Sequence, residues 1–458
     1  MTEFIHDQEI FARLEEGKQA TRAELNQIVE KAKTAVGLTL GETAALLQAT
    51  DPEIEGKIFQ AAREIKETIY GKRIVLFAPL YLSNHCVNNC EYCGYKHQSG
   101  MHRRQLSKEE IQREVEILEQ MGHKRLALEV GEDPVHCPIE YVLDAIETIY
   151  STQTKDGAIR RVNVNIAATT VENYKKLKEA GIGTYILFQE TYHQETYERV
   201  HPSGPKSNYA YHLTAMDRAM EGGIDDVGVG VLFGLYDYKY EVLAMLTHAL
   251  HLEEKFGVGP HTVSVPRLRP AQDVNLTRYP HLVSDHDFKR LVAILRLAIP
   301  YTGLILSTRE EASFRDEVIT LGVSQVSAGS CTGVGGYADS QSDTAQFEVG
   351  DDRSALEIIK SLCQGDYIPS YCTACYRQGR TGDRFMALAK SGQIANVCLP
   401  NALLTFKEFI QDYGDRELKE LGETVIRRHL DSIQDPSVKE ATEQQLAKLE
   451  SGTRDLYF

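Results

Sequence analysis

Between residues 73 and 328 one alternation recurs eight times: a short apolar or period-two run, then a longer stretch with apolar residues at helical spacing. The runs are RIVLFAPL (73–80), RLALEV (125–130), RVNVNIA (161–167), TYILFQ (184–189), VGVGVLF (227–233), TVSVP (262–266), GLILST (303–308) and VSQVSA (323–328). A helix following a strand buries its apolar stripe by crossing back over the sheet, which makes successive strands parallel. Eight such units predict an α/β fold, a (β/α)8 barrel of the TIM type, with a doubly wound sheet as the alternative. Upstream, segments such as RAELNQIVEKAKTAV repeat their apolar residues at helical spacing, so 1–70 reads as an N-terminal helical cap and 71–340 as the barrel. A helical pattern resumes from about 355, interrupted at 370–398, and 341–458 reads as a mostly helical C-terminal extension.

The chain is long enough, at 458 residues with 42% hydrophobic, to bury a large core. Its 50 basic against 66 acidic residues leave a net charge of −16, which argues against nucleic acid or an anionic membrane as partner. No segment has the length and apolarity of a membrane span, and the N-terminus lacks the apolar core of a signal sequence; a cytoplasmic address is expected.

In a parallel barrel the loops leaving the carboxyl ends of the strands share one face, where chemistry is placed. Cys86-Val-Asn-Asn-Cys90-Glu-Tyr-Cys93 follows strand one, Gly131-Glu132 follows strand two, Gln189-Glu190 strand four, Pro266-Arg267 strand six and Thr308-Arg309-Glu310-Glu311 strand seven. The nine cysteines are odd in number and six form two clusters, which reads as metal ligation in a reducing compartment. Cys137, Cys331 and Cys363 stand alone and read as small buried hydrophobes. Three thiolates leave one iron of a 4Fe-4S cubane without a protein ligand, whereas structural zinc takes a fourth ligand, which His85 or His97 is near enough in sequence to supply. The second triplet, Cys372-Thr-Ala-Cys375 and then Cys398, is again one short; on spacing alone it admits an iron–sulfur cluster, zinc or structural thiols. SAGSCTGVGGYAD (327–339) reads either as an anion-holding turn or as a flexible one.

The CxxxCxxC loop at the end of strand one, with Tyr92 before its last cysteine, resembles the radical S-adenosylmethionine (radical SAM) superfamily. The resemblance implies that Cys86, Cys90 and Cys93 hold a 4Fe-4S cluster whose open iron chelates SAM, and that its reductive cleavage gives a 5′-deoxyadenosyl radical. It further implies that Gly131-Glu132 meets the SAM amino group, although Val130 stands where many members have glycine. Glu190 is implied as a ribose or amine contact, GVGVLFGL (228–235) as the segment passing the adenine, and Arg218 as a candidate for the SAM carboxylate.

With CxxC and a third cysteine in a C-terminal extension, the whole chain is similar to the HydG family, tyrosine lyases that help build the active-site cofactor of FeFe-hydrogenase. The thiamine-pathway tyrosine lyase (2-iminoacetate synthase) shares the barrel and segments like PRLRPA (266–271), but lacks the second triplet; a non-catalytic iron–sulfur scaffold is the other alternative. Membership implies Cα–Cβ cleavage of L-tyrosine to p-cresol and dehydroglycine, then carbon monoxide and cyanide formation at a second 4Fe-4S cluster on Cys372, Cys375 and Cys398. An extra labile iron, bridged by a non-protein cysteine, would collect both ligands. For that iron the family pattern points to His261, an apt imidazole ligand, although the start of strand six should lie away from the active face. Arg309 suits the tyrosine carboxylate, or else pairs with Glu310 or Glu311. Asn163 and Asn165 are candidates to line a route between the clusters. The implied partners are tyrosine, SAM, cysteine, iron, a reductant such as ferredoxin or flavodoxin, and other hydrogenase maturases.

Overall fold

The computed structural model describes residues 4–155, 157–339 and 343–458; the 340/341 boundary expected between barrel and extension lies outside the described residues. Eight parallel strands close into a barrel: Arg73–Ser83, Arg125–Val130, Arg161–Asn165, Tyr185–Ile186, Val227–Gly230, Thr262–Ser264, Gly303–Leu306 and Gln325–Ser327. We number them strands one to eight. Closure comes from strand eight pairing back on strand one, Val75 opposite Gln325 and Phe77 opposite Ser327. Helices follow the strands on the outside, and the doubly wound alternative is excluded by this closure.

Local chemistry explains the element boundaries. Thr21, Thr39, Ser107 and Ser354 each close a capping box with a glutamate three residues on, and Asp51 caps a helix that has Pro52 in its first turn. Strand four is shorter than its apolar run because the chain turns at Glu190, which adopts φ 69°, a left-handed conformation that non-glycine residues rarely take. The segment stays against strand five even so, through Leu187 N–H to Gly228 O and Gln189 N–H to Gly230 O. Gly230 itself is required: a Cβ there would sit 2.5 Å from the Phe188 ring.

A ninth strand, Ile368–Ser370, has no counterpart in the sequence pattern; three residues with a central proline carry no periodic signal. It pairs in parallel with Arg73–Val75. Val75 has Gln325 on one edge and Ser370 on the other, so this strand occupies the edge that strand two takes over from Ala78 onward. It thereby delivers Cys372 to the amino-terminal end of the barrel. Buried apolar residues from Ile5 in the cap to Leu449 in the extension form one continuous core.

Past the undescribed residues, the chain is tied back by a buried ionic network. Arg315 Nη1 and Arg353 Nη2 both donate to Asp351 Oδ2, each at 2.7 Å, and Arg315 and Asp351 are fully buried. Burial opposes the charge on Asp351, but the two guanidiniums hold its carboxyl below the ordinary value. Asp351→Ala leaves a buried Arg315 uncompensated and is expected to cost about 3–5 kcal/mol, read as a lower urea midpoint at unchanged slope.

Candidate active site

At the carboxyl end of the barrel, loops after strands one, two, four and seven enclose a cavity of about 230 Å³ lined by Cys86, Cys90, Cys93, Gly131, Glu132, Glu190 and Arg309 among others. The cysteine loop is shaped by groups flanking it. Asn84 accepts from Arg104 N–H and donates to His102 O, while Arg103 donates to the carbonyls of Asn84, Tyr95 and Lys96. One guanidinium thus gathers both ends of the loop. Arg103 escaped sequence reasoning, because one of two adjacent arginines about ten residues past the last cysteine has no pattern to mark it.

The loop after strand two docks on this scaffold. Gly131 N–H donates to Ser83 O and Val87 N–H to Glu132 O, and a Cβ on Gly131 would lie 2.3 Å from His85 O, so only glycine fits. Asn88 bridges three loops: its amide donates to Glu132 Oε2 at 2.5 Å and its oxygen accepts from Lys206 N–H at 2.9 Å. Lys206 Nζ in turn pairs with Glu190 at 2.7 Å. Lys206, on a short 3-10 turn, is a cavity residue that sequence reasoning missed. Tyr92 lines the same cavity with its hydroxyl 2.8 Å from His201 Nε2.

Arg309 reaches the cavity with its guanidinium stacked on the Phe347 ring. The ion pairs open to it in sequence are taken by others: Glu310 binds Arg267, and Glu311 binds Arg269 at 3.0 Å. Among the described residues no acceptor lies within hydrogen-bond reach of the Arg309 side chain. Arg218 is not brought to the cavity. Its nitrogens are spent on the carbonyls of Tyr211 and Thr214 and the Thr214 hydroxyl just ahead of its own helix, and on the carbonyl of Thr169 in the segment after strand three.

The glycine-rich turn is braced rather than loose. Glu114 accepts from Tyr337 and Ala338 N–H, Thr344 from Val334 N–H and Tyr337 Oη from Cys331 N–H, so these four amides are already engaged. Ser330 and Thr332 face the cavity instead. Of the solitary cysteines, Cys363 is buried as expected, whereas Cys137 and Cys331 are only partly so.

At the opposite, amino-terminal end a smaller chamber of about 50 Å³ is lined by Cys372, Cys375, Cys398, His261, Tyr376 and three arginines, Arg73, Arg125 and Arg161, from strands one to three. His261 does stand at the start of strand six, and that is where the second triplet lies, so the geometric objection to it dissolves. Its Nε2 meets the Tyr376 hydroxyl at 3.0 Å and its Nδ1 lies 3.5 Å from Asp226. Burial outweighs Asp226 and pushes its pKa down to about 4, leaving a neutral imidazole. Asn165 lines the upper cavity, while Asn163 is buried in the wall, accepting from Arg161 Nε and Thr184 N–H.

Both triplets suit a cluster better than a single ion. Four sulfurs at about 2.3 Å around one Zn²⁺ would sit about 3.8 Å apart, yet in neither triplet do the three sulfurs lie within 4.8 Å of one another. Among the described residues the ligand atoms that do converge that closely belong to His85, Asp133 and His136, with the two imidazoles stacked at 3.9 Å; His97 faces the Cys86 carbonyl. Amides point at the sulfurs, from Tyr95 to Cys93 at 3.4 Å and from Ala374 to Cys372 at 3.5 Å. Burial raises the thiols, Cys93 to about 11 and Cys398 to about 12, so ligation must supply the driving force for deprotonation. In the lower chamber Arg73 favours the thiolates of Cys372 and Cys398, and Arg73, Arg125 and Arg161 each keep a buried N–H without an acceptor, a setting that fits an anionic cluster.

Residues 80–249 match the radical SAM superfamily model and residues 264–368 the biotin and thiamin synthesis associated domain. The chain is 32% identical to 2-iminoacetate synthase of Escherichia coli (strain K12), over 73% of this chain and 87% of that one. A crystal structure of HydG, described as a maturase of the [FeFe]-hydrogenase, is 64% identical over 99% of this chain and 100% of that one, with a TM-score of 0.97. The X-ray structure of the FeFe-hydrogenase maturase HydG from Carboxydothermus hydrogenoformans is 42% identical over 96% and 97%, with a TM-score of 0.84. No helix among the described residues is long and apolar enough to cross a membrane. A radical SAM barrel with a second cysteine triplet at its far end, matched nearly end to end by these structures, places the chain in the HydG family.

Proposed function

We propose that the chain is a tyrosine lyase that cleaves the Cα–Cβ bond of L-tyrosine to p-cresol and dehydroglycine, and turns the latter into carbon monoxide and cyanide for an iron precursor of the FeFe-hydrogenase cofactor. The observation that carries this reading is the pairing of two cysteine triplets, neither drawn together as closely as one zinc ion needs, at opposite ends of one barrel, with an unpaired guanidinium beside the upper one. The upper triplet would hold a 4Fe-4S cluster and SAM, which together supply radical chemistry by reductive cleavage of the sulfonium.

The chain's own groups do the rest. Gly131 lets the backbone approach closely and Glu132, kept up in pKa by burial, offers an acceptor to an amino group. Glu190 is fixed by Lys206 and by its strained backbone, the kind of strain that persists where the surroundings over-determine it. Arg309 supplies the planar fork that a substrate carboxylate needs. In the lower chamber Cys372, Cys375 and Cys398 would hold the second cluster, and His261 is suited to the iron that leaves as cargo with its carbonyl, cyanide and cysteine ligands. A ferredoxin or flavodoxin as reductant and the other hydrogenase maturases are the partners this reading implies.

Anaerobically reconstituted protein given dithionite, SAM and tyrosine should release p-cresol and 5′-deoxyadenosine; consumption of SAM with no loss of tyrosine sinks the substrate assignment. Arg309→Lys keeps the charge but loses the bidentate geometry, and should raise the KM for tyrosine by about 10–100-fold, the worth of one charge-assisted hydrogen bond.

A further inference from the structure

Three carboxyl groups face the upper cavity, and two of them are engaged. Glu132 accepts from Asn88, and Glu190 is paired with Lys206. The third, Glu129, sits at an inward position of strand two, in register between Tyr81 of strand one and Asn165 of strand three. Asn165 donates a side-chain hydrogen bond to it, and among the described residues no cation lies within ion-pair distance of it. The same cavity contains one cation in the matching condition, Arg309. The two line a common space and influence one another electrostatically, yet they form no salt bridge. A cavity that keeps one unpaired guanidinium and one carboxyl without an ionic partner apart is complementary to a zwitterion, whose ammonium would draw the carboxyl into its charged form.

We infer that Glu129 holds the α-ammonium group of the substrate and accepts one proton from it, while Arg309 holds the carboxylate. This rests on the reading that the substrate is tyrosine. The step is a plain proton transfer: an N–H bond of the ammonium breaks, an O–H bond on Glu129 forms, and no electron moves. Its consequence is chemical. An ammonium has no lone pair to stabilise a nitrogen-centred radical, so loss of a hydrogen atom from that nitrogen needs the neutral amine, and a base must stand beside it.

The electrostatics of the pocket agree. Burial pushes the Glu129 carboxyl up to about 8, against the lowering influence of Arg309 and the Asn165 hydrogen bond. The α-ammonium of a chain terminus titrates near 8 and that of a free amino acid about one unit higher, so the transfer to Glu129 runs between partners about tenfold apart in proton affinity. The other titratable groups facing Glu129 are Tyr81 on strand one and Tyr95 in the cysteine loop. Burial raises both phenols, which stay protonated throughout the working range, with Cys93 near each of them. Because Glu129 acts as a base, turnover should fall as pH drops through its titration and level off above it.

The test uses reconstituted holoenzyme with SAM and compares tyrosine with 3-(4-hydroxyphenyl)propanoate, which lacks only the amino group. Wild type should bind tyrosine at least tenfold more tightly than this analogue, and Glu129→Gln should bind the two alike. In single-turnover p-cresol formation between pH 6 and 9, Glu129→Gln should be about 100-fold slower with the acidic limb flattened, and Glu129→Asp should restore the limb. The inference is overturned if wild type does not discriminate against the analogue, or if Glu129→Gln keeps the preference for tyrosine. A variant that loses discrimination between tyrosine and phenylalanine, while still preferring the amine, would overturn it by placing Glu129 at the phenol. Should Glu129→Gln not fold, the wild-type comparison decides by itself. Absence of p-cresol from wild type would instead defeat the tyrosine reading.

Discussion

Cys93→Ala abolishes both p-cresol and 5′-deoxyadenosine, a loss of at least about 10⁴-fold, and lowers bound iron by about four atoms per chain. The size of the effect follows from the arithmetic of coordination. In the proposed reading three thiolates leave one corner of the upper cluster to the nucleotide cofactor, and a cubane left with two thiolates is held too weakly to be retained. Folding is not at issue, because the loop is shaped by Arg103 and Asn84 through backbone contacts that the substitution leaves in place. Product assay by chromatography with parallel iron counting checks this. Turnover by the variant would remove the radical reading and leave a cluster carrier.

Cys375→Ala gives the opposite partition: p-cresol stays within about threefold of wild type, while carbon monoxide falls by at least about 100-fold. The reason is spatial. Among the described residues none lines both chambers, and the lower one is built from the starts of the strands and from the extension. Loss of a lower thiolate therefore leaves Arg309, Glu129 and the upper cysteines untouched. Trapping carbon monoxide on deoxyhaemoglobin while measuring p-cresol in the same sample tests the separation, and equal loss of both products would refute a two-site enzyme.

The barrel was legible because its signal is periodic and repeated: all eight runs contain a strand, even where the strand is shorter than the run. The cysteine triplets were legible because thiolate spacing along a loop is local. What sequence hid was everything that depends on closure. His261 looked misplaced only because the position of the second triplet beneath the barrel was not readable, and that position is set by the three-residue ninth strand. Arg309 had two acidic neighbours in sequence, and only the fold shows them claimed by Arg267 and Arg269. Arg218 failed for the complementary reason: its helix turns it toward neighbouring carbonyls, a direction that residue type does not encode. Lys206 and Glu129 carry no motif, and each becomes visible only through what it faces.

The pairing of Arg73 with Ile368 joins positions about three hundred residues apart. Closing so long a loop is entropically slow, and contacts of that span form late. The strand that presents Cys372 can dock only when strand one and its neighbours already exist, so the polypeptide completes its lower metal nest last. In the proposed reading biogenesis then has a built-in sequence, in which an unfinished molecule has no seat for the second cluster.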